Sequence, residues 1–261
     1  MSTLAAPPID DVDAPTIRDI PFGIYVHVPF CVRRCGYCAF TTEAVPDDSR
    51  RDATAAWTTA ATAELELAAE RLRSGAPTVR TVYLGGGTPS LLAPDEVEMV
   101  MQSIERHFDM APGVEITIEA NPDTLDHGSM AGFREAGCTR VSIGYQSRSR
   151  RVLELLDRTH DPERALDAVA DARRAGFDHV SLDLISGTPG ETADDFRSSV
   201  EAAIGTDVDH LSVYALSLEP GTRLAARVRR GELREPDPDD AADRYEFLDA
   251  TCRSAGLEWY E

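Results

Sequence analysis

The sequence GIYVHVPFCVRRCGYCAF (residues 23–40) places three cysteines within eight residues, directly after an apolar run. These cysteines are Cys31, Cys35 and Cys38, and their close spacing is typical of a metal site. In an iron–sulfur cluster each cysteine thiolate binds one iron. Three thiolates therefore leave one iron of a four-iron cluster without a protein ligand. The spacing therefore favours a 4Fe-4S cluster whose open iron is free to chelate a small molecule.

Two other interpretations of the cysteines stay open at this point. A structural zinc site is closed and tetrahedral, so it needs a fourth ligand from elsewhere, such as His27, Cys138 or Cys252. A disulfide would leave one of the three thiols unpaired. Clustered thiols indicate a reducing compartment, and the N-terminus lacks a signal-peptide pattern, so we expect a cytoplasmic protein.

Length and charge exclude several classes of protein. The 261 residues fit one α/β barrel, and no apolar run approaches the roughly 18 residues that a membrane span needs. The formal charge is −20, and all 26 basic residues are arginine. Such a surface repels phosphate backbones, so we expect no nucleic-acid partner.

From Gly23 onward, an apolar strand, a loop and an amphipathic helix recur, which is typical of βα units with a parallel sheet. The predicted strands are 23–28, 79–84, 114–120, 140–143, 180–184 and 210–216. The predicted helices are 52–73, 95–108, 162–175, 192–203 and 239–255. We therefore predict an α/β fold, a partial (βα)6 TIM-like barrel. Its predicted parts are a flexible leader (1–20), the barrel (21–220) and the start of a C-terminal extension (221–261).

The spacing Cys-x3-Cys-x2-Cys, with an aromatic residue at Tyr37, resembles the signature of radical S-adenosylmethionine (SAM) enzymes. The preceding segment IYVHVPFC (residues 24–31) is similar to that of the coproporphyrinogen III oxidase-like branch, which contains HemN-type dehydrogenases and HemW-type heme chaperones. At the position of Phe40 the HemN type usually has cysteine and the HemW type has phenylalanine. The resemblance therefore implies a HemW-type radical SAM core.

The functional residues of such a barrel lie on loops at the carboxyl ends of its strands. The second strand ends in GGGTP (residues 85–89), which lacks a Walker lysine, and Ser90 breaks the dinucleotide-binding glycine pattern. A plain tight turn is the alternative. The resemblance instead identifies this stretch as the motif that contacts the SAM amino group.

Further polar residues stand at or just beyond other strand ends, where surface exposure or a structural hydrogen bond is the simpler explanation. Tyr25, within the first strand, would more simply be a core aromatic. The resemblance implies a SAM-binding set of Tyr25, Gly85, Gly86, Gly87, Thr88, Glu119, Gln146, Arg158 and Asp183. No residue is singled out as a catalytic acid or base.

The resemblance also implies a chemistry. A reduced cluster donates an electron to bound SAM, which yields methionine and a 5′-deoxyadenosyl radical. HemN-type relatives use that radical to decarboxylate coproporphyrinogen III, whereas HemW-type relatives bind heme for respiratory enzymes. We expect the HemW-type function, with the dehydrogenase as the alternative. The expected partners are heme or a porphyrin, an electron-donor protein and heme-accepting respiratory proteins. Because Trp259-Tyr260-Glu261 resembles the start of a longer segment in the family, we expect a C-terminally truncated chain.

Overall fold

The computed structural model describes residues 21–72 and 77–260. The predicted leader, residues 1–20, lies outside this range and stays a prediction. The division of the chain at residue 220 also stays a prediction.

The core of the fold is a sheet of six parallel strands, each paired with the next one along the chain. The strands are β1 (Phe22–Val28), β2 (Val79–Gly86), β3 (Met110–Ala120), β4 (Arg140–Gln146), β5 (His179–Ser186) and β6 (His210–Ala215). Among the described residues, β1 and β6 pair on one side only, so the sheet is open. The predicted α/β fold with a parallel sheet is confirmed, and the structure shows no closed barrel in this part of the chain.

Helices connect successive strands, as the repeating pattern predicts, and two more helices follow the last strand. They are α1 (Asp47–Leu72), α2 (Pro94–His107), α3 (His127–Glu135), α4 (Arg150–Leu155), α5 (Pro162–Arg174), α6 (Ala193–Ile204), α7 (Arg223–Arg229) and α8 (Pro238–Ser254). Short 3-10 turns, Pro89–Leu91 and Pro122–Thr124, follow β2 and β3. None of the helices in the described part of the chain is long and apolar enough to cross a membrane.

The two faces of the sheet differ in chemistry because successive strand residues point to opposite sides. One face is apolar and belongs to the main hydrophobic core, with members such as Val82, Ile118 and Leu182. The other face carries polar side chains at paired positions, including Glu119 opposite Ser142 and Asp183 opposite Ser212. The polar face and the carboxyl ends of the strands are where the candidate site lies.

Candidate cluster and SAM site

The cysteine loop follows β1 and is closed at its base by backbone pairing. Phe30–Cys31 forms a short parallel ladder with Glu43–Ala44. The Val45 amide donates to the Cys31 carbonyl at 2.9 Å, and His27 Nε2 lies 2.9 Å from the Thr41 carbonyl oxygen. The residues between the two ladder segments are therefore held as a compact loop at the carboxyl end of the sheet.

Gly36, in the middle of the cysteine loop, anchors this loop to the rest of the fold through its backbone. Its amide donates to the Leu156 carbonyl at 3.1 Å, and its carbonyl accepts from the Leu224 amide at 2.8 Å. A Cβ atom at this position would lie 2.4 Å from Asp157 Oδ2, so only glycine fits without movement. Tyr37 packs on a small apolar cluster that includes Leu156 and Leu224. These contacts fix the direction in which the loop presents its cysteines.

Cys31, Cys35 and Cys38 are all free, and none is fully exposed. Burial raises the pKa of the Cys31 and Cys38 thiols above the ordinary value of 9.0, so both are protonated near neutral pH without a metal. Cluster assembly would then release protons, since thiolates are the ligands.

The zinc and disulfide interpretations fit the structure less well. Within residues 21–72 and 77–260, no three His, Cys, Asp or Glu side chains are placed to hold one metal ion. Cys138 precedes β4, at the opposite end of the parallel sheet from the cysteine loop. Three thiols that share one loop are a donor set for a four-iron cluster, in which each thiolate binds its own iron.

The GGGTP stretch (residues 85–89) packs directly against the start of the cysteine loop. The Thr88 side chain lies close to the Cys31 thiol; burial raises the pKa of that thiol, and Thr88 lowers it by a smaller amount. A Cβ atom at position 87 would lie 2.5 Å from the Phe30 carbonyl oxygen, and Gly86 has a φ of 115°. The glycines therefore allow the end of β2 to pack against β1, a role that sequence reasoning had not given them.

Glu119 joins the ends of β2 and β3. Its Oε2 accepts from the Gly86 amide at 3.0 Å, and its Oε1 accepts from the Tyr83 hydroxyl at 2.8 Å. Sequence reasoning missed Tyr83. This residue pairs with Tyr25 across β1 and β2, so both rings lie on the polar face of the sheet. Tyr83 and Gly86 thus position the carboxylate, which keeps lone pairs for a further donor.

Replacing Tyr83 with phenylalanine is expected to weaken SAM binding by about 3- to 10-fold, because the Glu119 carboxylate loses one of its two anchors. The ring packing against Tyr25, with centroids 5.9 Å apart, is kept. Isothermal titration with SAM on protein of equal iron content measures the effect. Tyr245→Phe, on α8, is the matched control. An unchanged SAM affinity in Tyr83→Phe would show that Tyr83 does not act through Glu119.

Tyr25 is 57% exposed on the polar face and stacks on Tyr83. The interpretation of Tyr25 as a core aromatic is therefore wrong. Its exposed ring is available to a ligand that lies over the strand ends.

Gln146 is the last residue of β4, Arg158 lies on the connection after α4, and each has an unsatisfied buried atom. Gln146 Oε1 and Arg158 Nε have no hydrogen-bond partner among the described residues. Gln146 also adopts a φ of 59°, which is uncommon outside glycine. Arg158 Nη1 lies 3.6 Å from Cys35 Sγ, and Arg158 Nη2 lies 3.4 Å from the Gly144 carbonyl oxygen. A buried acceptor and a buried donor that both lack partners, near Cys35, are groups that a polar ligand could satisfy.

Asp183 lies in the middle of the polar face. Ser142 Oγ lies 2.9 Å from each of its carboxylate oxygens, and Ser181 Oγ donates to Ser142 at 2.8 Å. Burial raises the pKa of Asp183 to about 6, even though hydrogen bonds from Ser212 and Ser142 act in the opposite direction. Sequence reasoning identified the acid but not its serine partners. A hydroxyl donated by a ligand would stabilise the ionised form further.

The raised pKa of Asp183 predicts a pH dependence of stability. Between pH 3.8 and about 6 the folded carboxyl keeps a proton that the unfolded chain has released, so this group destabilises the fold as pH rises through that range. Asp183→Asn should remove this contribution, at most roughly 2–3 kcal/mol. Urea unfolding of both proteins from pH 4 to pH 7 measures it. Parallel pH curves for the two proteins would contradict the prediction.

A cavity of about 470 Å³ opens beside the cysteine loop. Its walls include Cys35, Arg33, Arg158 and Asn121, and come from the cysteine loop and from the loops after β2, β3 and α4. The cavity therefore borders the cysteine loop at Arg33 and Cys35.

The comparison with protein families matches residues 25–203 to the model of the radical SAM superfamily. The chain belongs to the radical SAM superfamily. This family implies a 4Fe-4S cluster and SAM as cofactors. The matched residues contain the cysteine loop and strands β2 to β5 with their ends.

Comparison with individual proteins shows which members of the superfamily the chain resembles. The chain is 52% identical over 241 residues to the heme chaperone HemW of Mycobacterium tuberculosis, covering 92% of this chain and 61% of the relative. It is 32% identical to the heme chaperone HemW of Bacillus subtilis, again covering 61% of the relative. The mitochondrial radical S-adenosyl methionine domain-containing protein 1 of Mus musculus is 37% identical, with 53% of its length covered. The chain thus spans about three fifths of the HemW proteins.

Among solved structures, the Escherichia coli coproporphyrinogen III oxidase HemN, a radical SAM enzyme, superposes with a TM-score of 0.78 at 26% identity. The match covers 90% of this chain and 53% of HemN. The radical SAM core is therefore common to the chain and HemN, while sequence identity is higher to the HemW proteins.

Proposed function

We propose that this chain is the radical SAM core of a cytoplasmic HemW-type heme chaperone. Its cluster would be held by Cys31, Cys35 and Cys38, the three free thiols of the loop after β1. When bound, a 4Fe-4S cluster supplies an open iron site and a low-potential electron. The donor set fits it, because the loop offers three cysteines and the structure brings no fourth cysteine to them.

SAM would lie across the carboxyl ends of the strands. Glu119 and the GGGTP backbone would accept hydrogen bonds from its amino group and so orient it. Arg158 would pair with its carboxylate, because a guanidinium can donate two parallel hydrogen bonds to a carboxylate. Gln146 and Asp183 would bind its ribose hydroxyls, and Tyr25 would lie against it. The observation that carries this arrangement is the pair of orphaned buried atoms, Gln146 Oε1 and Arg158 Nε.

The heme-chaperone function rests on the identity to the HemW proteins and on Phe40, which stands where the dehydrogenase type usually has cysteine. Phe40 is 62% exposed beside the cysteine loop. The proposed partners are heme, an electron-donor protein and heme-accepting respiratory proteins.

Heme titration of the reconstituted protein, followed by absorbance, tests this proposal. A full-length form containing the C-terminal region of the HemW relatives and this 261-residue chain are titrated side by side. The proposal predicts stoichiometric heme binding by the full-length form. An anaerobic assay with coproporphyrinogen III, SAM and dithionite is run in parallel. Formation of protoporphyrinogen would overturn the chaperone assignment in favour of the dehydrogenase.

A further inference from the structure

An exposed basic and apolar surface lies on the cysteine loop of this strongly acidic chain. We call it the cluster-loop face and define it by Val32, Arg33, Arg34, Phe40 and Arg223. Val32 is 51% exposed and Phe40 is 62% exposed. The side chains of Arg33 and Arg223 are each 56% exposed. The formal charge of the chain is −20, so a basic face is contrary to its overall charge.

Contacts within the face hold the arginines at the surface. Arg223 Nη2 donates to the Arg34 carbonyl at 2.7 Å, which ties the start of α7 to the cysteine loop. Arg33 and Arg223 share one carboxylate, that of Asp157, at 4.0 and 3.0 Å. Arg34 forms no ion pair in the described part of the chain, and its guanidinium lies 3.4 Å from the Cys38 and Phe40 carbonyl oxygens. Arg33 and Arg223 thus share a single carboxylate, and the charge of Arg34 is not neutralised by an ion pair in this part of the chain.

The position of the face matters as much as its charge. Residues 32–34 lie in the chain between two of the proposed cluster ligands, and Arg34 touches the backbone of the third. The cavity of about 470 Å³ opens next to Arg33 and Cys35. A protein seated on this face would bring its own redox group close to the cluster.

We propose that the cluster-loop face docks a small, acidic one-electron carrier protein, which reduces the cluster. This inference rests on the proposed function and names the surface for its electron donor. One electron passes from the reduced carrier to the oxidised cluster, so the carrier is oxidised by one electron as the cluster is reduced by one. At physiological salt, charges more than about 8 Å away are largely screened, so the local arginines outweigh the distant acidic surface for a docked partner. Exposed Val32 and Phe40 supply apolar contacts within the face.

The test uses a reduced, acidic 2Fe-2S ferredoxin as the probe. The double variant Arg33→Gln/Arg34→Gln removes two charges, and Arg223→Gln removes one from outside the cysteine loop. Arg80→Gln is the matched control, since Arg80 is exposed at the amino end of β2, at the opposite end of the sheet. Two quantities are measured from 50 to 300 mM salt: the ferredoxin dissociation constant and the rate of cluster reduction.

The double variant is expected to weaken ferredoxin binding and slow cluster reduction by about 5- to 10-fold at low salt, with the difference vanishing at high salt. Arg80→Gln should behave as the wild type, and dithionite should reduce all the variants equally. A ferredoxin dissociation constant that is unchanged in both the double variant and Arg223→Gln would overturn the proposal. A dissociation constant that does not depend on salt concentration would overturn it as well. Failure of the proposed function would instead appear as missing iron and no dithionite-reducible signal in the wild type. The binding measurement still decides the docking surface in that case.

Discussion

Replacing Cys35 with alanine is expected to abolish the cluster. With three thiolates for the cluster and no fourth cysteine at the loop, the loss of one leaves two irons without protein ligands. Anaerobically reconstituted Cys35→Ala should hold less than about a tenth of the iron and acid-labile sulfide of the wild type, which should hold about four of each. Cys31→Ala and Cys38→Ala should behave in the same way.

The control for this prediction is Cys252→Ala. Cys252 is also a free, partly buried thiol, but it lies on α8. It should keep the wild-type iron content. Wild-type iron content in both Cys35→Ala and Cys252→Ala would mean that the loop cysteines do not hold the cluster. Iron lost from both would mean that the loss comes from reduced stability.

Replacing Arg158 with glutamine is expected to raise the dissociation constant of SAM by about 10- to 100-fold. The buried guanidinium has an unsatisfied Nε atom, and its Nη1 atom lies 3.6 Å from the Sγ atom of Cys35, a proposed cluster ligand. A hydrogen bond to a charged group contributes about 1.5–3 kcal/mol, which sets this range. Arg158→Lys should recover only part of the affinity, because an ammonium cannot form the paired hydrogen bonds of a guanidinium.

The comparison for Arg158 is Arg148→Gln, on the same connection after β4. Arg148 is exposed and pairs with Glu163, so its loss should leave SAM binding unchanged. Affinities are measured by titration at equal iron content. An Arg158→Gln variant that binds SAM as tightly as the wild type would remove Arg158 from the SAM site.

The repeating pattern predicted all six strands because each carries apolar residues on the core face. Helix boundaries were predicted well where a breaker stands: Gly176 has a φ of 87° just after α5. The start of α1 was placed five residues late, since this helix buries only Thr54 and Thr58 and shows little apolar periodicity. Helix α3 was missed, although Asp126 and Ser129 form a capping box that marks its start.

The site was predictable at the level of motifs and less so at the level of contacts. Cys31, Cys35 and Cys38 lie within eight residues of the sequence, so their spacing alone indicated a metal site. The link from Tyr83 to Glu119, by contrast, spans 36 residues and depends on the register of two parallel strands. The left-handed backbone of Gln146 also leaves no mark in the sequence, because it arises where the register of β4 against β5 shifts between Gly144 and Gln146.

The most direct test of the central claim is electron paramagnetic resonance of the reconstituted, dithionite-reduced protein with and without SAM. The claim is that three loop cysteines hold a 4Fe-4S cluster whose fourth iron binds SAM. The account predicts the signal of a reduced 4Fe-4S cluster, and a change in its g-values when SAM is added. A protein that forms no such cluster, or a cluster whose spectrum is the same with saturating SAM, would contradict it.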